Sequence, residues 1–356
     1  MSTTKRQHFV PRVYLKSWGT PSASLGVAEK ASSVYVYYNY RQPGEQSNID
    51  SVLWMPRLYT VCFSDRGFYS NCPKIMGDFV NQIYDMLRIN RNEPVYGKIG
   101  YSIIKTKQSI RKHMDCIDDW EFFYDDGNPA RKIAIRNGLS SMTSYIIEDG
   151  LSSHFEAKWS RVLQQFISEI KNSNSKKLGS NKQVINNNTA EEMLEFFFMM
   201  FCRNPEFDGL GTYTWAKETL LEPIIGANAN EFINGIWHSE LYKMLYKTSK
   251  GHYHSLIKAA IGMLQMVLYE ATAEAGTFIT SDRPAFLYNC IPEKTNMNGF
   301  VFPLSPSYLL FICKGEGPIN IVDYRPVDQD VVQYFNRTIY QNRSEIVISS
   351  YDTLYL

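Results

Sequence analysis

The first 72 residues alternate short apolar runs with turn residues. One run, Ser33 to Tyr40, is rich in β-branched and aromatic side chains and ends in the turn Arg41 to Gly44. A second run covers Leu58 to Phe63. Short apolar runs bounded by Gly and Pro are typical of β-strands. Residues 1–72 are therefore predicted to be β-rich.

From about residue 74 the apolar positions recur every three or four residues, which is the spacing of one helix face. Residues 73–273 are accordingly predicted to form a helical portion. Its first apolar stripe contains Ile75, Phe79 and Ile83. The helices predicted after it cover Ser141–Lys171, with Gly150 as a point where the helix can break, Tyr213–Ile225, Ala229–Tyr246 and Ser255–Ala273.

One polar segment interrupts the helical portion. Residues 172–188 are mostly Ser, Asn and Lys, a composition that predicts an exposed mobile loop. Thr189 and Glu192 follow at the spacing of a capping box, in which each side chain bonds a backbone amide of the first helical turn. A helix carrying the apolar run Phe196–Cys202 is predicted to begin there.

The last 83 residues, 274–356, return to short β-rich runs bounded by Pro or Gly. Strands at both ends with helices between them favour an α+β fold over a doubly wound alternation. The expected architecture is a single large domain, 1–356. In it the terminal segments 1–72 and 274–356 build one mixed sheet, and 73–273 is a large helical insertion.

Composition excludes several classes of protein. The 356 residues carry 37 Lys and Arg against 36 Asp and Glu, so no global positive field exists to attract nucleic acid. No apolar stretch approaches the roughly 20 residues that span a bilayer, and the N-terminus lacks a secretory signal. The six cysteines show no CxxC spacing. This pattern is typical of reduced thiols in a cytoplasmic protein that does not enter the membrane.

His8 is the first candidate site residue. It follows Gln7 in a basic N-terminal string, and the positive setting favours the neutral imidazole that a general base or metal ligand needs. The alternative is a surface histidine on a frayed terminus.

Arg203 and Asp282 are the next candidates. Arg203 ends the apolar run before Asn204-Pro205, and its permanent charge must meet a carboxylate, a phosphate or free helix carbonyls. Asp282 lies in the turn Thr280–Pro284, where a strand end can aim a carboxylate at a substrate. The turn also has a purely structural explanation, since Asp commonly bonds its own backbone two residues on.

Acidic residues on the predicted long helix suggest a metal site. Glu148 and Glu156 are eight positions apart, about two helical turns, so both can share a face. Together with Asp282 and His8 they could hold a divalent cation. Solvated helix acids are the commoner explanation. The standard phosphate-binding and hydrolase motifs GxGxxG, GxxxxGK[ST], HExxH and GxSxG are absent from the sequence.

The order of these motifs resembles a bacterial family, the domain-of-unknown-function family 4238. Members of that family are similar to defence genes in their sporadic distribution, and the resemblance implies a cytoplasmic protein. It also groups His8, Glu156, Arg203 and Asp282 as one set that folding can gather. The residues that carry the resemblance are Gln7, His8, Pro11, Tyr14, Leu15, Glu156, Arg203, Pro205, Phe278, Ile279, Ser281, Asp282, Pro284, Pro303, Leu304, Ser305, Pro306, Asn336 and the segment Glu345–Ser349.

Two functions follow as hypotheses. In the first, the protein is a nuclease-like effector of a defence or mobile-element system that cleaves phosphodiesters or nucleotides. His8 is then the base or a metal ligand, Glu156 and Asp282 hold Mg²⁺ or Mn²⁺, and Arg203 stabilises charge on phosphate. Its nucleic acid or nucleotide substrate would be bound by Gln7, Arg12 and Ser281, and a protein of the defence system would be its partner.

In the second hypothesis the protein is a non-catalytic binding or sensor module. Arg203 and Asp282 then form an internal ion pair, and His8 attaches the N-terminus to the fold.

Overall fold

The computed structural model divides the chain into two compact units. Unit 1 comprises Met1–Leu58, Ser152–Gly209 and His252–Leu356, and unit 2 comprises Tyr59–Leu151 and Leu210–Gly251. The residues that the structure describes are 6–19, 33–63, 73–173, 181–208, 211–226, 229–247, 251, 255, 258–259, 261–288 and 299–356.

The strands of the described residues are short, apart from those near the C-terminus. In chain order they are β1 (Arg6–His8), β2 (Ser33–Tyr37), β3 (Glu45–Asn48), β4 (Trp54–Pro56), β5 (Val61–Cys62), β6 (Val95–Ile99), β7 (Ser102–Ile104), β8 (Glu121–Tyr124), β9 (Thr143–Ser144), β10 (Lys182–Val184), β11 (Leu264–Ala271), β12 (Thr280–Ser281), β13 (Phe286–Tyr288), β14 (Gly299–Ser305), β15 (Tyr308–Lys314), β16 (Ile321–Val327) and β17 (Val347–Ser349).

The α-helices lie mostly in the middle of the chain. In order they are α1 (Arg12–Leu15), α2 (Pro73–Tyr84), α3 (Lys107–His113), α4 (Lys132–Ser140), α5 (Ile146–Gly150), α6 (Trp159–Asn172), α7 (Asn187–Cys202), α8 (Thr212–Ala216), α9 (Glu222–Ile225), α10 (Ala229–Leu245) and α11 (Gln329–Asn342). Within the described ranges no helix is long and apolar enough to cross a bilayer.

The α+β class is confirmed, and strands from the two ends of the chain do share a sheet. In unit 1 the described strands form a sheet of order β12-β17-β2-β3, and β1 pairs with β4 in a separate two-stranded sheet. The pairing of β17 with β2 joins the ends, since Ile348 lies opposite Val36. This sheet is antiparallel throughout. The sheet with mixed strand directions is a second sheet of unit 1, and its described strands all come from residues 182–327.

The mixed sheet of unit 1 has the order β10-β16-β11-β15-β14-β13 among the described strands. Its neighbours are antiparallel except β11 and β16, which run parallel. One face packs on α11 in a hydrophobic core that includes Val267, Phe311 and Phe335. Because both faces of these central strands are covered, their sequences read as nearly continuous apolar runs.

Helix α7 covers the other face of the mixed sheet with aromatic side chains. The Phe197 ring lies 5.0 Å from Phe300 and 6.0 Å from Phe302, measured between ring centroids. Trp159 at the start of α6 lies 5.9 Å from Phe302. This packing explains the apolar run Phe196–Cys202, and it places the residue that follows α7 at the edge of the core.

Unit 2 contains a small sheet of order β7-β6-β8 and the pair β5-β9 among its described strands. Helix α2 carries the predicted apolar stripe, and Ile75, Phe79 and Ile83 are all buried. The stripe therefore faces the core of this unit, as amphipathic spacing requires.

The helix predicted over Ser255–Ala273 is wrong for its second half, which is the central strand β11. A strand buried on both faces shows a short apolar run that helix spacing fits equally well. Residues 256–257 and 260 of that predicted helix lie outside the described residues. Together with β6, β7, β8 and β10, this strand shows that the segment 73–273 is not purely helical.

Two further local predictions are corrected. Helix α7 begins before Thr189: Asn186 is its N-cap, and the Asn186 side chain accepts from the amide of Asn188. The predicted loop 172–188 contains β10, which pairs with β16, while its residues 174–180 lie outside the described residues. The predicted helix Ser141–Lys171 does break after Gly150, through the π-helical segment Leu151–Phe155 and a 3₁₀ turn.

Asn336 provides a test of this architecture, because its buried amide ties α11 to two other segments. Its Oδ1 accepts from the amide of Ile279 at 3.1 Å, and its Nδ2 donates to the carbonyls of Thr277 at 2.9 Å and Tyr355 at 3.2 Å. We expect Asn336→Ala to lower the free energy of unfolding by about 2–3 kcal/mol, since it leaves buried backbone groups unpaired. Urea unfolding measures this change. The exposed Gln329→Ala on the same helix is the control, and an equal loss in both variants would contradict the anchoring role.

Candidate functional site

Arg203 is the most deeply buried charge of the predicted set. It is the C-cap of α7, where Asn204-Pro205 ends the helix, and its side chain is 1% exposed. Nη1 donates to Oε1 of Glu156 at 2.9 Å, and Nη2 donates to the backbone carbonyl of His8 at 2.6 Å. A guanidinium keeps its proton in a protein, so burial requires such partners. We call Arg203, Glu156 and the His8 carbonyl the Arg203 cluster.

Glu156 enters the cluster from an irregular part of the chain. It opens the 3₁₀ turn Glu156–Lys158, between the π-helical segment and α6. Its side chain is 22% exposed, so this carboxylate reaches both the buried guanidinium and solvent. Because α5 ends at Gly150, the helical spacing that placed Glu148 on the same face does not hold.

His8 is the last residue of β1 and lies opposite Trp54 of β4. Its backbone carbonyl serves Arg203, while its Nε2 is buried and has no hydrogen-bond partner in the described residues. Burial is the main cause that lowers the pKa of His8, and the positive charge of Arg12 lowers it further. Glu156 and Asp50 act in the opposite direction. The lowered pKa favours the neutral imidazole, and burial contributes more to the shift than the charge of Arg12.

Asp282 anchors backbone. Its Oδ1 accepts from the amide of Ser344 at 2.9 Å, and its Oδ2 accepts from the amides of Glu345 at 2.6 Å and Ile346 at 3.0 Å. The residue is 5% exposed. A carboxylate that already accepts three amide hydrogens is a poor metal ligand, because those donors occupy its lone pairs.

The ion pair of the second hypothesis is therefore different from the one expected. Arg203 pairs with Glu156, and the Asp282 carboxylate bonds the segment that leads into β17. Across the described ranges, no group of three or more His, Cys, Asp or Glu side chains is placed to hold a metal ion. The cation site expected from Glu156, Asp282 and His8 is not assembled here.

Asn204 connects these two parts of the site, and the sequence did not mark it as functional. Its Nδ2 donates to the backbone carbonyl of Asp282 at 2.8 Å, and its Oδ1 accepts from the amide of Glu206 at 2.9 Å. The Asn-Pro pair was interpreted only as a helix terminator. The sequence feature that could have indicated a role for Asn204 is its position, since it is a polar residue directly after the arginine that ends an apolar helix.

The expected substrate-binding residues fall into two environments. Gln7 and Ser281 are buried, and the Ser281 hydroxyl accepts from the amide of Arg283 at 3.1 Å, which makes the local turn. Arg12 is exposed and forms an ion pair with Asp50 at 2.5 Å, with roughly half of each side chain open to solvent. Of these three side chains, Arg12 is the one that a ligand in solution can reach.

A family model described as "protein of unknown function (DUF4238)" matches residues 6–353, nearly the whole chain. The chain belongs to the DUF4238 family. The resemblance drawn from the N-terminal and C-terminal motifs is thereby confirmed at the level of the family. No curated protein and no solved structure matches the chain.

In this DUF4238 protein we expect Asp282→Ala to lower the free energy of unfolding by at least about 3 kcal/mol. The substitution leaves three backbone amides without their charged acceptor. Asp282→Asn keeps one oxygen acceptor and should lose less. Thermal or urea unfolding measures both variants. Glu345→Ala is the matched control, because Glu345 is exposed and its own amide remains in place. A loss no larger than that of the control would contradict the anchor.

The lowered pKa of His8 gives the DUF4238 protein a defined pH dependence. Below the ordinary histidine pKa of about 6.5, His8 is protonated in the unfolded chain, whereas its lowered pKa disfavours protonation in the folded protein. The free energy of unfolding should therefore fall as the pH drops from about 7 through that value toward the lowered folded pKa. Urea unfolding of wild type and His8→Asn across this range measures the His8 contribution. Identical pH slopes would contradict a neutral, buried imidazole.

Proposed function

We propose that this DUF4238 protein is a binding module in which the motif residues hold unit 1 together. The observation that carries the proposal is the use of the polar groups. The Arg203 guanidinium contacts Glu156 and the His8 carbonyl, and the Asp282 carboxylate contacts three amides. Charged groups committed to internal bonds support a structural role for the motif set and place ligand recognition on the surface.

The Arg203 cluster joins segments that are distant in sequence. His8 lies 195 positions from Arg203, and Glu156 lies 47 positions from it. Asn204, the next residue, reaches a further 78 positions to Asp282. A contact set of this range holds together the end of β1, the 3₁₀ turn before α6, the end of α7 and the turn after β12. This geometry supports the view that unit 1 is stabilised as a rigid support.

The environment of the binding module is also a proposal. Cys116 and Cys313 are free thiols, which supports a reducing, cytoplasmic location. A role in a bacterial defence system, with a protein of that system as partner, fits the sequence resemblance alone.

A hydrolase acting on phosphodiesters or nucleotides is the second candidate function, and one observation favours it. The lowered pKa of His8 favours a neutral imidazole, and its buried Nε2 has no partner in the described residues, as a general base requires. The carboxylate of Glu156 is partly open to solvent nearby in the cluster. This candidate needs no ligation by Asp282, and a metal-dependent form would have to free Asp282 from its three amides.

The binding proposal predicts how Arg203 variants behave. Arg203→Met should lower the free energy of unfolding by about 3–5 kcal/mol, because it leaves Glu156 uncompensated beside the core. The double variant Arg203→Met with Glu156→Met should recover part of that loss, since no charge is then left unpaired. Thermal and urea unfolding measure both variants.

The exposed ion pair Arg161–Glu192, with 3.0 Å between Nη2 and Oε1, is the matched control. Its single variants Arg161→Met and Glu192→Gln should each cost at most about 1 kcal/mol. Equal effects of Arg203→Met and Arg161→Met would contradict the structural role of the cluster.

A cleavage assay separates the two candidate functions. His8→Asn removes the imidazole and keeps the backbone carbonyl that Arg203 uses. If wild type hydrolyses oligonucleotides or nucleotides and His8→Asn loses that activity with unchanged melting, the hydrolase replaces the binding module. Activity that is absent from wild type with and without Mg²⁺ or Mn²⁺ supports the binding module.

A further inference from the structure

The β7-β6-β8 sheet of unit 2 has one face that is buried. Val95, Ile104 and Phe122 point into the core of the unit. Trp120 packs on the same face against Gly97, where an added Cβ would lie only 2.5 Å from the indole. Side chains alternate between faces along a strand, so Tyr96 and Lys98 belong to the opposite face.

That opposite face carries two stacked aromatic rings. Tyr96 and Phe123 are directly opposed in the pairing of β6 with β8. Their ring centroids are 5.8 Å apart and the rings are inclined by only 27°. Both side chains are partly exposed, and Ile103 on the neighbouring strand is 58% exposed. The two rings form a stacked apolar pair that solvent partly reaches.

Lysines stand over these rings. The Lys105 ammonium lies 4.2 Å from the centroid of the Tyr96 ring, and the Lys98 ammonium lies 5.8 Å from the centroid of the Phe123 ring. Lys107 lies in the same way 5.3 Å from the ring of Tyr84. Exposed ammonium groups are held to ring faces only weakly, so a stacking base can displace them toward its own phosphates.

Acidic residues also border these rings. Asp125 follows β8 and is held by Arg88 at 2.8 Å and by Lys105 at 3.3 Å. The negative charge of Asp125 is therefore already paired, mainly with Arg88, whose hydrogen bond lowers the pKa of the carboxyl. Glu121 lies opposite Lys98 in the strand pairing. The exposed Lys105–Asp125 pair is therefore weak, and a more highly charged polyanion can replace it.

Exposed rings on an antiparallel sheet, bordered by lysines, match the chemistry of an unpaired nucleotide strand. Bases stack on aromatic rings with little regard to sequence, and phosphates accept from lysines. Bases within a duplex are already stacked and cannot reach the rings. Because the whole chain carries a net charge of only +1, any nucleic-acid binding must rely on a local patch of this kind.

We propose that the face of β6, β7 and β8 that carries Tyr96, Lys98, Ile103, Lys105 and Phe123 binds single-stranded nucleic acid. We call it the β6–β8 platform. The inference rests on the proposed binding function and supplies its ligand. Bases stack on Tyr96 and Phe123, and the two lysines contact the phosphates on either side.

Fluorescence anisotropy with labelled 12-nucleotide dT and U oligomers at about 50 mM salt tests the platform. Phe123→Ala and Tyr96→Ala should each weaken binding by about 5- to 100-fold, the range found for loss of one stacked base. Phe123→Tyr and Tyr96→Phe keep the rings and should bind as wild type does. That comparison separates loss of stacking from loss of folding, and melting curves of all four variants check the fold.

The lysines have a separate signature in the same assay. For single strands, each phosphate contact contributes about 0.7 to the slope of log K against log salt. Lys98→Gln with Lys105→Gln should therefore reduce that slope by about 1.4. Trp215→Ala and Lys314→Gln, which remove an exposed ring and an exposed lysine elsewhere, should leave affinity and slope unchanged.

Three results would overturn the platform. The first is no binding of either oligomer by wild type, and the second is binding that Phe123→Ala and Tyr96→Ala leave unchanged. The third is self-association of wild type, without oligonucleotide binding, that Ile103→Asp abolishes, since the face would then be a protein interface. None of these results depends on the Arg203 cluster, whose unfolding measurements judge the structural role in unit 1 separately.

Discussion

A buried guanidinium is the constraint on which unit 1 depends. Arg203 cannot shed its charge, so the fold must bring it a carboxylate and a carbonyl at the end of an apolar helix. Glu156 and the His8 backbone meet that requirement from two remote segments. The aromatic packing of α7 on the mixed sheet sets where the guanidinium lies. The apolar core and the ion pair are therefore one arrangement, in which moving either displaces the other.

Asp282 is the corresponding buried negative charge, and it too needs partners inside the fold. Its buried carboxylate is stabilised by three backbone amides, which supply dipoles without any countercharge. Asn204 connects this anchor to the Arg203 cluster through the Asp282 carbonyl. Charged residues that suggest catalysis in a sequence can thus have all their hydrogen bonds within the fold, where they hold loops and strand ends. The β6–β8 platform shows the reverse case, since its surface rings and lysines carry no signature motif and remain accessible.

The sequence predicted those features that depend on local chemistry. The α+β class, the amphipathic stripe of α2 and the burial of Arg203 follow from spacing and charge alone. The partner of Arg203 did not, because choosing between Glu156 and Asp282 requires knowing which segments meet. The sequence does not distinguish strand β11 from a helix, because a strand buried on both faces has no alternation of polar and apolar residues. The sequence predicts that α7 begins at Thr189, but the N-cap is Asn186. Both residue types are good N-caps, so the local pattern does not choose between them.

Strand β2 finds one of its two neighbours in β17, near the other end of the chain. During synthesis, more than 300 residues must leave the ribosome between these two strands, which takes about 15–60 s at the usual rates of elongation. For that time one edge of β2 stays open, and its Tyr- and Val-rich sequence is a template for pairing with other chains. Newly made chains are thus exposed to aggregation until β17 emerges, and a chaperone that shields β2 would raise the yield of folded protein.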